Sequence, residues 1–209
     1  MKADKNAARF ARSMGAALAL GLTLSGCISL GAESPESLIN LTSTATAPAG
    51  SGAVTGAEDS AGAIAVLTPE TPAKLDVLRV PVNVSGTEIA YLQNAVWVEK
   101  PARLFRRVLG ETLRVKSGVF VIDNDDTPTL AAQYVRGSLL DMTYDAPTSS
   151  VVVRFDAIRS GSADGAVTSR RFEAREEGVL PEAQFVGPAL NRAANVVAND
   201  VADWVLSGE

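Results

Sequence analysis

The stretch PARLFRRVLGETLRVKSG, residues 101–118, decides the fold. Pro101 suits the first helical position, where its missing N–H removes no hydrogen bond. Gly118 suits the residue just past a helix end, where the backbone turns left-handed. Between them Leu104, Phe105, Val108, Leu109, Thr112 and Leu113 recur at three- and four-residue spacing and share one face. Arg103, Arg106, Arg107, Glu111 and Arg114 take the other face. Its four arginines fit a solvated polar surface or a site for an acidic partner, and the first is the ordinary fate of such a charge run. The apolar stripe requires a second layer to cover it.

Strand candidates flank this helix on both sides. Ala63–Leu67 is short, apolar and closed by Thr68-Pro69. Leu78, Val80, Val82 and Val84 alternate with Arg79, Pro81 and Asn83, the period of a half-buried strand. Pro81 places that strand at an edge or leaves it one free side. Glu88–Leu92 and Ala95–Val98 read as a hairpin joined at Gln93-Asn94. After the helix come Val119–Ile122 and then Leu130–Tyr144, whose apolar side switches near Gly137 and suggests a bulge. Val151, Val153, Phe155 and Ala157 alternate with Arg154 and Asp156. Thr168–Glu176, with Phe172 and Ala174 inward, pairs with them across the loop at 160–165.

A last helix follows Pro181, with Val186, Leu190, Ala193, Val197, Val201 and Trp204 as its stripe. Asn191, Arg192, Asn199 and Asp203 are among its polar positions. The order predicts an α+β fold, an α/β sandwich. Its mixed, mostly antiparallel sheet would carry both amphipathic helices on one face. The globular domain is expected over residues 64–209.

The chain before it has a different character. Lys2, Lys5, Arg9 and Arg12, with Asp4, precede an apolar run from Met14 to Leu24. This is the pattern of an export signal over residues 1–26, and the run is too short to span a bilayer, which takes roughly 20 apolar residues. Leu24-Ser25-Gly26-Cys27 resembles a lipobox. The resemblance implies cleavage between Gly26 and Cys27 and acylation of Cys27, the sole cysteine in the chain. Two or three acyl chains hold a protein stably in its membrane, at about 0.8 kcal/mol per buried CH₂. Ile28 rather than Asp after the cysteine implies, by the lipoprotein sorting rule, the outer membrane of a Gram-negative envelope, facing the periplasm. Residues 27–63 form the acylated N-terminus and a tether rich in Ser, Thr, Ala, Gly and Pro. Such composition buries too little surface to offset its ordering entropy, and 36 residues of coil span about 33 Å. An alternative has Leu38–Leu41 docking on the domain edge as a short strand.

Composition narrows the function. The chain has no histidine, which with a single cysteine removes the usual transition-metal sets and histidine-dependent triads. Asp123-Asn124-Asp125-Asp126 fails the EF-hand pattern, since its sixth position is Pro128 and its twelfth Tyr134. A turn is the expectation there, with no metal and no cofactor. Removal of residues 1–26 takes four positive charges and one negative from 19 Lys+Arg and 24 Asp+Glu, leaving a net −8. An acidic domain is a poor partner for nucleic acid. No Gly-x-Ser-x-Gly elbow and no Walker A pattern is present. An Asp or Glu pair offers acid–base chemistry in principle, but no spacing singles one out, and the protein is not expected to be an enzyme.

From Leu78 to Arg114 the elements also form a family pattern. The strand, Glu88-Ile89-Ala90-Tyr91, Ala95-Val96-Trp97-Val98-Glu99-Lys100-Pro101 and Leu104-Phe105-Arg106-Arg107-Val108-Leu109 resemble the PqiC-like, ABC-type transport auxiliary lipoproteins. The element order carries the resemblance over residues 64–206. It implies a non-catalytic partner of a periplasmic MCE-domain protein with its ABC permease and ATPase, at work in phospholipid transport between membranes. The resemblance also admits phospholipid itself as a ligand. Tyr91, Gln93 and Trp97 are candidates for a contact patch, against the simpler reading that Trp97 packs in the core beneath the first helix. The main alternative is a lipoprotein pilot or assembly factor for another outer-membrane complex, which would accompany a barrel or secretin instead.

Overall fold

The computed structural model describes residues 37–51, 62–124, 131–161 and 165–207. Within them lie β1 (Ile64–Val66), a 3-10 turn (Ala73–Leu75), β2 (Arg79–Asn83), β3 (Ile89–Val96), α1 (Pro101–Ser117) and β4 (Val121–Ile122). There follow β5 (Gln133–Asp145), β6 (Ser150–Gly161), β7 (Val167–Glu177) and α2 (Ala183–Ser207). The expected α+β class and element order hold. Pro101 opens α1, and Gly118 closes it at φ 68°.

β5 is the spine of a forked sheet. β6 pairs antiparallel along its whole length, from Gln133↔Gly161 to Asp145↔Ser150, and β7 continues the sheet beyond β6. The other side of β5 carries two arms. β1 runs parallel to residues 133–135 and bears β4. β2 runs parallel to Tyr144 and Asp145 and bears β3, antiparallel. A bridge from Glu70 to Ser138 sits between the arms. The sheet is therefore mixed, with long antiparallel and short parallel pairings.

Both helices cover one face. Phe105 of α1 meets Phe155 of β6 at 5.1 Å between ring centroids, and Trp204 of α2 meets Phe172 of β7 at 5.7 Å. All six stripe residues expected on each helix are buried. Each large one contributes about 1.5–3 kcal/mol through burial. Arg159 of β6, itself buried, closes the end of α2 by donating from Nη1 to the carbonyl of Trp204 at 2.6 Å. A cation there also meets the negative end of the helix dipole.

Three local expectations need correction. The pieces around Gln93-Asn94 are not a hairpin but one strand, β3. Its register against β2 shifts between Arg79↔Val96 and Pro81↔Tyr91, and Asn94 takes φ 54° to absorb the excess chain. Pro81 takes the second of its two expected places, on an interior strand but with one side free. It is tolerated because it sits at that shift and because pairing to β5 begins only at Val82. The β5 bulge falls at Leu140, between Leu139↔Phe155 and Asp141↔Arg154, three residues beyond Gly137. Gly137 has a different task, since a Cβ there would stand 1.9 Å from the carbonyl oxygen of Asp156. Finally, Arg106 is not on the solvated face of α1. It is buried, donating to Thr68 Oγ1 at 2.6 Å, because the chain leaving β1 crosses over that flank.

Part of the expected tether is also ordered against the domain, as the alternative reading had it. Ile39 lies alongside Trp97, donating to the carbonyl of Val96 at 2.8 Å and accepting from the amide of Val98 at 2.9 Å. Leu41 is buried in the core. Packing thus begins well before residue 64.

Candidate docking surface

Gly26 and Cys27, the expected processing and lipidation residues, lie outside the described residues, as do Asp125 and Asp126 of the acidic stretch. The contact patch expected at Tyr91, Gln93 and Trp97 does not form as a unit. Trp97 is 1% exposed and belongs to the core, at the end of the strand that packs against α2. Its indole N–H has no hydrogen-bond partner among the described residues, and the ring is held there by packing. Gln93 is exposed, and Tyr91 is half-buried with the Arg79 guanidinium 3.9 Å from its ring centroid. Such a stack stiffens the strand and leaves one edge of the ring open.

What the structure assembles here is a sheet edge. β3 ends its arm, and apart from Ile39 beside Val96–Val98 no described strand lies along its outer row of backbone groups. Its sequence, IAYLQNAV, carries no charge, and Ile89 is 43% exposed. The opposite edge, β7, is different, with Arg170, Arg171, Glu173, Arg175, Glu176 and Glu177 among its eleven residues. Charge of that density discourages pairing with a second chain. Among the described edge strands only β3 is both long and uncharged, and it is open over residues 89–94, the properties that strand addition by a partner requires.

The sheet face turned away from the helices is occupied by its own ion pairs. Arg171 grips Asp156 in a fork at 2.6 and 2.7 Å. Arg154 joins Glu173 at 2.7 Å to Asp141 at 2.6 Å, and Lys74 reaches Asp141 from the 3-10 turn at 2.5 Å. The Arg171 hydrogen bond holds the Asp156 carboxyl below the usual carboxylate range, and Glu173 raises Arg154. On α1, Arg107 and then Arg103 do the same to Glu99, against its desolvation. Three of the helix arginines, Arg103, Arg107 and Arg114, therefore serve neighbouring carboxylates, Arg114 pairing with Glu111 and Asp123. An open groove of about 530 Å³ crosses this face between Ser138, Ile158 and Arg170. Among the described residues no group of His, Cys, Asp and Glu could hold a metal ion. No described helix is long and apolar enough to cross a membrane.

Sequence reasoning passed over the residues that receive the N-terminal segment. Asn191 accepts from the amide of Thr42 at 2.8 Å. Asn195, buried, accepts from the amide of Thr44 at 2.8 Å and donates to the carbonyl of Thr42 at 2.9 Å. Glu111 accepts from the amide of Ala47 at 2.7 Å. The available signal was Asn195 itself, an amide among the alanines of a buried flank, four residues after Asn191.

The described residues thus form a two-layer α+β domain with an ion-paired sheet face and an uncharged edge strand, β3. The model of the family described as ABC-type transport auxiliary lipoprotein component matches residues 44–202. The chain belongs to that family. Among solved structures, protein XCC0632 from Xanthomonas campestris, of family DUF330, is 17% identical with a TM-score of 0.65, over 82% of this chain and 95% of that one. A second, described as an uncharacterized protein, is 13% identical with a TM-score of 0.60, over 69% of this chain and 92% of that one. At such identities the likeness establishes the fold. No curated protein matches the chain.

Proposed function

We propose that this auxiliary lipoprotein is the outer-membrane docking subunit of an MCE-associated lipid-transport system. The chain is anchored through acylated Cys27, and the domain faces the periplasm. It carries out no chemistry. The permease and ATPase of the system move the phospholipid, and this domain holds the periplasmic MCE protein at its destination. The observation that carries the reading is the family match over residues 44–202, joined to the lipobox-like Leu24–Cys27 of the sequence. The open β3 edge is the surface by which an extended segment of the partner would bind, main chain to main chain.

The test is affinity purification of the acylated protein from membranes, with Cys27→Ala and a β3-edge variant, Ile89→Pro, alongside. Recovery of an MCE protein with its ABC subunits, reduced at least tenfold by either change, is the expected result. Recovery of a barrel or secretin instead would establish an assembly factor. A Cys27→Ala protein held as firmly in the membrane as its parent would remove the anchor from the scheme.

A further inference from the structure

The N-terminal segment crosses three elements before it leaves the domain surface. Ile39 is fixed to the β3 edge by two backbone hydrogen bonds, Thr42 and Thr44 to Asn191 and Asn195 of α2, and Ala47 to Glu111 of α1. Gly187 of α2 makes room for this path, since a Cβ there would meet Ile39 Cγ2 at 3.3 Å. At the point of exit three large apolar side chains are exposed: Leu38 at 52%, Leu78 at 45% and Val98 at 49%. They belong to one corner, because Leu38 precedes Ile39, Val98 donates to Ile39, and Trp97 donates to Leu78 at 2.7 Å.

We infer that residues 37–47 are a strap that shortens the tether to the residues before Ser37 and presents the Leu38–Leu78–Val98 corner to the lipid surface holding Cys27. The inference rests on the proposed anchoring of Cys27. Twelve peptide steps from Cys27 to Ile39 reach at most about 43 Å, whereas a tether free as far as Ala63 reaches about 120 Å. Confinement of that kind raises the effective concentration of the corner at the membrane, so three modest apolar contacts suffice to orient the domain. β3 then stands with its Trp97 end toward the lipid and its open residues 89–94 pointing away from it.

The experiment uses the full acylated chain in vesicles of phosphatidylethanolamine and phosphatidylglycerol. One nitroxide is placed at Val98→Cys and, in a separate sample, at Val167→Cys on the far edge of the sheet. Accessibility to oxygen is compared with accessibility to a water-soluble nickel chelate. A twenty-residue Gly-Ser segment is then inserted either between Glu36 and Ser37 or between Gly56 and Ala57. With a strap, the label at 98 is at least twofold more oxygen-accessible and nickel-shielded than that at 167. The insertion before Ser37 abolishes the contrast, while the insertion after Gly56 leaves it intact. Equal effects of the two insertions would overturn the strap. Equal exposure of labels 98 and 167 in the parent would overturn the membrane-facing corner. Loss of the protein from the vesicles would instead remove the acyl anchor, and this inference with it.

Discussion

Trp97 and Gly137 show how single positions in this domain are constrained in opposite ways. Trp97 fills space but wastes its polar atom, a buried N–H with no partner among the described residues. Truncation to alanine is expected to cost about 3–5 kcal/mol. Trp97→Phe should cost well under half of that, because it also removes a donor whose desolvation is uncompensated. Urea unfolding of the three proteins, with equal slopes, checks the difference. Gly137 tolerates no addition, since φ is 155° and a Cβ would stand 1.9 Å from Asp156 O. Gly137→Ala is expected to lose about 3 kcal/mol or more, read as a lowered urea midpoint or as failure to fold on expression. The glycine was legible as an interruption in an apolar strand. Its cause was not, because a close approach of β6 is a property of the pairing and has no local signature.

At the scale of elements, both helices were readable from periodicity and caps, which are local to each segment. The sheet was readable strand by strand but not in its arrangement. A polar edge and an uncharged edge differ in composition, yet nothing in IAYLQNAV tells whether Gln93-Asn94 is a turn or a bulge. That is decided by Val80, 0% exposed on the neighbouring strand, which the bulge must pass. The ordered part of the tether escaped for a related reason. Its Thr and Ala residues bind through backbone amides, whose acceptors lie near residue 111 and residues 191–195. Asn191→Ala combined with Asn195→Ala is therefore expected to free the segment while leaving both layers intact. Hydrogen exchange at Thr42, Thr44 and Val98 should quicken at least tenfold, with β6 amides unaffected.

For the whole molecule, charge arrangement sets the response to acid. Asp156 and Glu99 have carboxyls held below the ordinary range by Arg171 and Arg107. A depressed folded-state pKa adds stability that is fully present above the unfolded carboxylate value and is lost as pH falls through the folded one. The domain should therefore keep its urea midpoint from pH 7 to about 5 and lose part of it below about 4. Arg171→Gln should flatten that decline slightly, as befits a solvent-exposed pair screened by salt. Function is legible only at this scale, through a family match that runs from residue 44 to residue 202 and so includes part of the strap. The strap also sets the order in which the protein matures. In the export proposed above the chain is delivered from its amino end, and Thr42 and Thr44 would then emerge about 150 residues ahead of their acceptors on α2. Contacts of such sequence separation close late. With the proposed anchor, lipid attachment at the amino end would be finished while the lead is still slack, and the domain would draw itself up to its mooring only when the final helix has arrived.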